Sequence, residues 1–146
     1  MTKKMLARKG SKRFRMQLDM TLPAKREAVD PAVQQIMAEV RKTNRVAGKE
    51  DDIELALAEA LANAVVHGAK SDPSKIIECD VACDEKRGML IVVRDPGPGF
   101  DPALLPVPTT GENLYSDHGR GVYLMNQLMD EVRYHKNGTE IHMVKR

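Results

Sequence analysis

Asp51-Asp-Ile-Glu-Leu-Ala-Leu-Ala-Glu59-Ala-Leu-Ala-Asn63-Ala-Val-Val-His67-Gly68 is the stretch around which the rest of the chain organises. Ile53, Ala56, Leu57, Ala60, Leu61 and Ala64 recur at helical spacing and form one apolar stripe. Two aspartates suit the positive end of a helix dipole, and Gly68 supplies a stop. The spacing therefore predicts a helix from about Asp51 to Val66. Glu59, Asn63 and His67 fall four residues apart, so they share one face. That face borders the stripe instead of opposing it, which sets the three polar side chains at the rim of the core, where a pocket would open.

Outward from this helix the pattern changes period. Before it, Phe14, Met16, Leu18 and Met20 alternate with Arg15, Gln17 and Asp19, the signature of a half-buried strand over about 13–20. Asp30-Pro31 reads as a helix cap followed by proline at the first helical position. Val33, Ile36, Met37 and Val40 carry that helix from about Pro31 to Arg45. After the central helix, Lys75–Cys83 and Met89–Arg94 read as two strands joined by a tight turn. A Pro- and Gly-rich tract from Asp95 to His118 has no clear period and reads as a binding loop or lid. A third helix is expected over about Gly121–Met129. A closing hairpin comes next, Val132–His135 and Thr139–Val144, turning at Asn137-Gly138. Hairpin pairs with helices on one face give an α+β class: a two-layer sandwich of a mixed, mostly antiparallel sheet and a helical layer.

The composition fits one globular domain. Of 146 residues, 42% are apolar and 30% charged, and no apolar run is long enough for a membrane helix. The net charge of +2 hides an asymmetry. Met1–Arg15 holds seven basic residues and no acid, leaving 16 basic against 21 acidic side chains on the rest, a net of −5. Residues 1–12 are therefore expected to form a basic, frayed arm, and 13–146 the single domain. No aromatic residues interleave the basic ones for base stacking, and the body is acidic, which argues against direct nucleic-acid binding. The arm lacks the apolar segment of a secretory signal, so the expected location is cytoplasmic. Cys79 and Cys83 lie four apart on one expected strand, about 13 Å from each other on the same face, too far for a mutual disulfide.

Three clusters carry chemistry. In the first, Asn63 offers a neutral oxygen to Mg²⁺, which keeps waters and takes other ligands from phosphates. Glu59, one turn earlier, can accept a proton. A plain polar helix edge would show the same spacing. The second cluster is Asp95-Pro-Gly97-Pro-Gly99, at a strand end: an aspartate that can accept from an exocyclic amine, with glycines that let a flat ligand approach the backbone. An ordinary proline–glycine turn fits it as well. The third is Gly119-Arg120-Gly121, whose glycines before a helix would present N–H groups to phosphate, or merely form a hinge. Neither a Walker loop nor a dinucleotide fingerprint is present, and no Cys or His pair has metal-ligand spacing.

Taken in order, Glu59-x-x-x-Asn63-Ala-x-x-His67-Gly68, Asp95-x-Gly97-x-Gly99 and Gly119-x-Gly121 resemble the N, G1 and G2 boxes of the GHKL ATPase superfamily. The resemblance is strongest to its anti-sigma-factor serine kinases, through the segment from His118 to Val132 and the closing Asn137-Gly-Thr-Glu140. It covers about Arg13 to Arg146 and implies the Bergerat-type ATP-binding fold. It further implies that Asn63 ligates Mg²⁺ between ATP phosphates and that Glu59 activates the attacking hydroxyl. Asp95, helped by Thr139, would bind the adenine amino group, with Gly97 and Gly99 lining its pocket. His67 would border the nucleotide, Gly119 and Gly121 would hold phosphates, Arg120 would add charge there, and 101–118 would be the lid. The implied function is an ATP- and Mg²⁺-dependent kinase of a serine on a STAS-domain anti-anti-sigma protein, which also sequesters a sigma factor as a homodimer. The alternative is a nucleotide-gated protein-binding module without phosphotransfer.

Overall fold

The computed structural model describes residues 2–5, 14–84, 86–99 and 117–146. Six strands form one sheet: β1 (Thr2–Met5), β2 (Phe14–Pro23), β3 (Ile76–Asp84), β4 (Gly88–Arg94), β5 (Glu131–His135) and β6 (Glu140–Lys145). Their spatial order is β1-β2-β3-β4-β6-β5. Every pairing is antiparallel, so the mixed component allowed for by the sequence does not occur among the described residues. Three helices, α1 (Val29–Thr43), α2 (Glu50–Asn63) and α3 (Asp117–Leu128), complete the second layer.

Strand alternation sorts the residues between the layers. Met16, Leu18, Met20 and Leu22 of β2 join Ile77, Cys79, Val81 and Cys83 of β3, and Met89, Ile91 and Val93 of β4, in the core. The helices meet them with Ile36, Met37 and Val40 of α1, Ile53, Leu57 and Leu61 of α2, and Met125 of α3. Both cysteines are free and buried. Burial pushes the Cys79 thiol up to about 12, so it behaves as an apolar residue. On the other face of the sheet, Arg94 bridges Asp80 of β3 and Glu140 of β6. Glu140 Oε1 also lies 2.7 Å from His142 Nε2.

The element ends differ from the sequence pattern in instructive ways. Thr2–Met5, expected within a frayed arm, pairs with β2 from Thr2↔Thr21 to Met5↔Leu18. The ten-residue β2 offers an open edge beyond β3, and pairing there needs no apolar alternation from the added strand. α1 begins at Val29, so Asp30 lies in its first turn and does not cap it. Pro31 is accommodated because the first helical N–H groups have no partner in any case. At the other end Asn44 takes a left-handed cap, φ 53°. The closing turn lies where the sequence places it: residues 136–139 join the last pair, His135↔Glu140, and centre on Asn137-Gly138, with Gly138 N–H donating to His135 O at 3.1 Å. Lys136, Asn137 and Gly138 all take left-handed backbone, φ 51°, 57° and 80°, which asparagine and glycine accept most readily.

Candidate functional site

α2 does not end where its apolar stripe ends. It passes into a single π-helical turn, Ala64–Gly68, in which Ala69 N–H donates to Ala64 O at 2.8 Å. Such a turn widens the helix by one residue and redirects the chain beyond it. Here it brings Gly68 against the loop after β4. A Cβ on Gly68 would stand 2.3 Å from Asp95 Cγ, and one on Gly97 would stand 2.1 Å from Gly68 O. Only glycine admits both contacts.

Asp95 leaves the end of β4 with its N–H donating to Thr139 O at 2.9 Å. Its Oδ1 accepts the Gly97 N–H at 2.8 Å. Partial burial raises its pKa, and the Gly97 bond works against that rise. The β5–β6 turn closes the same side: Gly99 has φ 81° and its Cβ position would fall 2.1 Å from Asn137 O. The Thr139 hydroxyl donates to Lys136 O at 2.7 Å, so its part at Asp95 is played by its carbonyl. These elements enclose a cavity of about 210 Å³ lined by Asn63, His67, Gly68, Asp95, Gly99 and Thr139 over an apolar base that includes Val93, Met125 and Ile141.

α3 supplies the remaining contact. It starts at Asp117, four residues before the expected start, so Gly119-Arg120-Gly121 forms its first turns instead of preceding it. The Arg120 side chain lies outside the described residues, as do 100–116, most of the expected lid. Gly121 packs directly on α2: a Cβ there would be 2.9 Å from Asn63 Nδ2 and 3.0 Å from Glu59 Oε2. Asn63 Nδ2 is buried without a hydrogen-bond partner among the described residues. On the far side of this contact a larger groove of about 680 Å³ opens between α1, α2 and α3, lined by Arg26, Asp30, Glu59, Asn63, His67 and Leu124.

The fold thus gathers Asn63, His67, Asp95, Gly99 and Thr139 around one cavity and Gly97 against its wall. It sets Glu59 beside Asn63 but in the neighbouring groove. Sequence reasoning missed Lys70, which lines the cavity in a left-handed conformation, φ 55°, and it read Gly68 only as a helix stop. No period or motif marks Lys70. The Gly68 contact required knowing that the helix end meets the loop after β4.

The site thus joins a half-buried aspartate at a strand end, closely approached glycines and a buried amide packed against Gly121 of α3. The chain belongs to the histidine kinase-like ATPase domain family, whose model matches residues 22–145. It is similar to an anti-sigma F factor of Bacillus cytotoxicus, 34% identical over 100 residues, covering 64% of this chain and 67% of that protein. It is similar also to the serine-protein kinase RsbW of Bacillus licheniformis, 35% identical over 102 residues, 65% of this chain and 63% of that protein. The Bacillus subtilis protein of the same name is 34% identical over the same span, 65% and 63%. The chain therefore spans about two thirds of the length of these relatives. No helix among the described residues is long and apolar enough to cross a membrane.

Proposed function

We propose that this protein is an ATP- and Mg²⁺-dependent anti-sigma factor serine kinase that phosphorylates a STAS-domain anti-anti-sigma protein. The observation that carries the reading is the packing of Glu59 and Asn63 together on Gly121, beside the cavity built on Asp95. In this reading the chain also sequesters a sigma factor, acts as a homodimer and works in the cytoplasm. The names of its relatives support the sigma factor and the serine-kinase activity.

Asp95 accepts the adenine amino group through the carboxylate oxygen that Gly97 leaves free. Thr139 holds Asp95 in place through the backbone, and Gly97 and Gly99 let the base lie against the chain. The first turn of α3, with Gly119, Arg120 and Gly121, faces the phosphates, and His67 borders them. A cation fits at Asn63: a buried, unpartnered amide is the kind of neutral ligand Mg²⁺ takes along with phosphates and waters. The amide's O and N are assigned by hydrogen bonding, and turning it presents oxygen. Asn63 would hold the metal together with phosphate oxygens and water. When bound, Mg²⁺ neutralises charge on the transferring phosphoryl group. Glu59 takes the proton of the acceptor hydroxyl while that oxygen bonds the γ-phosphorus. The bond from that phosphorus to the bridging oxygen breaks, and its electron pair leaves on ADP.

The test is a phosphotransfer assay with labelled ATP, Mg²⁺ and the STAS-domain proteins of the same genome. Label on a STAS serine that disappears with Glu59→Gln is the expected result. Measured ATP binding with no label on any STAS protein would replace the kinase by a nucleotide-gated binding module.

A further inference from the structure

The face of the sheet turned away from the helices holds a buried carboxylate. Glu140 is only 7% exposed, although it lies on that outer face. Its Oε2 accepts from Arg94 Nε at 3.0 Å and lies 3.7 Å from Lys136 Nζ, and its Oε1 lies 2.7 Å from His142 Nε2. Arg94 also reaches Asp80 through Nη1, and the His142 ring packs on that of His135, with centroids 4.1 Å apart. A buried ion pair is a weak source of stability, because desolvation offsets the attraction. What this one supplies is position. Arg94↔Glu140 ends the paired register of β4 and β6, and the next backbone bond runs from Asp95 N–H to Thr139 O at 2.9 Å. Side chains alternate between faces along a strand, so Arg94 and Glu140 clasp behind the sheet while Asp95 and Thr139 line the cavity in front. Lys136 adds a second tie: its carbonyl accepts from the Thr139 hydroxyl at 2.7 Å and from the Thr139 N–H at 3.2 Å. With the peptide links from Arg94 to Asp95 and from Thr139 to Glu140, these contacts close a ring through both faces of the sheet.

We infer that Glu140 is a positioning residue for the nucleotide cavity: through Arg94 and Lys136 it holds the strand end that bears Asp95 and the turn that bears Thr139 at a fixed separation. Arginine suits this place because its rigid fork serves the two carboxylates of Asp80 and Glu140 at once, which a lysine ammonium does not match. The ring sets how the free Asp95 oxygen meets the adenine amino group, so it acts on recognition of the base and not on the phosphates. The inference rests on the reading of Asp95 as the adenine ligand and is independent of phosphotransfer.

The test measures Kd by calorimetry, with Mg²⁺, for ATP and for purine riboside triphosphate, which has the ring and phosphates of ATP but no amino group. Wild type should bind ATP more tightly than the analogue by about tenfold or more, the worth of one hydrogen bond to a charged group. Glu140→Gln keeps the shape and removes the charge. Its Kd for ATP should rise about tenfold, while its Kd for the analogue stays within about twofold of wild type. Arg94→Lys, the milder change, should act in the same direction, and it carries the test should Glu140→Gln not fold. The double variant should lose little more than Glu140→Gln alone, since the two residues act as one unit. An equal rise for both ligands would make Glu140 a support of the fold at large and overturn the inference. An unchanged preference for ATP in Glu140→Gln and Arg94→Lys would overturn it too. Asp95→Ala judges the reading beneath. If that variant keeps the wild-type preference, Asp95 is not the adenine ligand and both fall. If it loses the preference while the Glu140 and Arg94 variants keep it, the adenine reading stands and only the role of the ring falls.

Discussion

Adding one methyl group at Gly121 should separate catalysis from folding. Gly121 is the fifth residue of α3, and its Cβ position lies 2.9 Å from Asn63 Nδ2 and 3.0 Å from Glu59 Oε2. Ordinary carbon contacts are about 3.5–4.0 Å, so Gly121→Ala requires the two side-chain ends to retreat by roughly 0.5–1 Å. Both are flexible ends and can move, and alanine is favoured over glycine inside a helix by about 1 kcal/mol. Folding stability should therefore stay within about 1 kcal/mol of wild type, which chemical denaturation can measure. Catalysis has no such latitude. A misplacement of about 1 Å at a reacting group costs on the order of a hundredfold in rate. We expect kcat for phosphotransfer to fall by about that factor, with the denaturation midpoint nearly unchanged. Undiminished kcat in a variant shown to bind ATP would refute the assignment of Glu59 and Asn63 as the reacting pair.

Other outcomes stem from the same geometry. Asn63→Ala should abolish the Mg²⁺ dependence of ATP binding in calorimetry while leaving circular dichroism unchanged; retained dependence would move the metal elsewhere. Gly68→Ala should cut ATP affinity more than Gly121→Ala does, because its methyl would stand 2.3 Å from Asp95 Cγ and displace the adenine ligand; equal affinities would refute that role. Burial raises the Asp95 pKa, so the folded state holds a proton that the unfolded chain has released. Stability then falls as pH rises from the ordinary carboxylate range through the raised value, while ATP affinity rises over the same window; Asp95→Asn should flatten both profiles. Glu140 shows the opposite sign: the His142 hydrogen bond, then Arg94, lowers its pKa, so its contribution is present above the ordinary range and lost as pH falls. Leu61→Ala, at a fully buried position of α2, should cost about 2–5 kcal/mol in denaturation.

Much of the fold could be read from the chain because strand faces are local information. The alternation Met16, Leu18, Met20 needs no partner to show which side is buried, and it is the side that faces the helices. Helix ends were less legible. Asp30-Pro31 satisfies the rules for a cap and for a first turn equally, and packing of Ala28 and Ala32 into the core decides for the turn. β1 was illegible for a different reason: Thr2–Met5 has no pattern of its own, and its pairing depends on the free edge of β2. The site divides the same way. Glu59, Asn63 and His67 were visible through helix spacing, and Asp95 through its place after a strand. Gly121's contact with α2 was not, because it depends on how α3 packs against α2, and α3 takes in Gly119 as well as Gly121.

The π-helical turn shapes the cavity side of the site. Glu59 and Asn63 both lie on the regular α2, so the π-helical turn acts beyond them, on His67 and Gly68. The wider turn, Ala64–Gly68, sends Gly68 to Asp95 while Asn63 and His67 remain between two hollows. Changes on the cavity side, at Asp95, Gly68 or Gly99, should therefore act on nucleotide affinity. A change on the groove side, at Glu59, should act on transfer. Asn63 borders both, so its replacement should register in both assays, and a variant series sorted in any other way would show that the two hollows are one functional space.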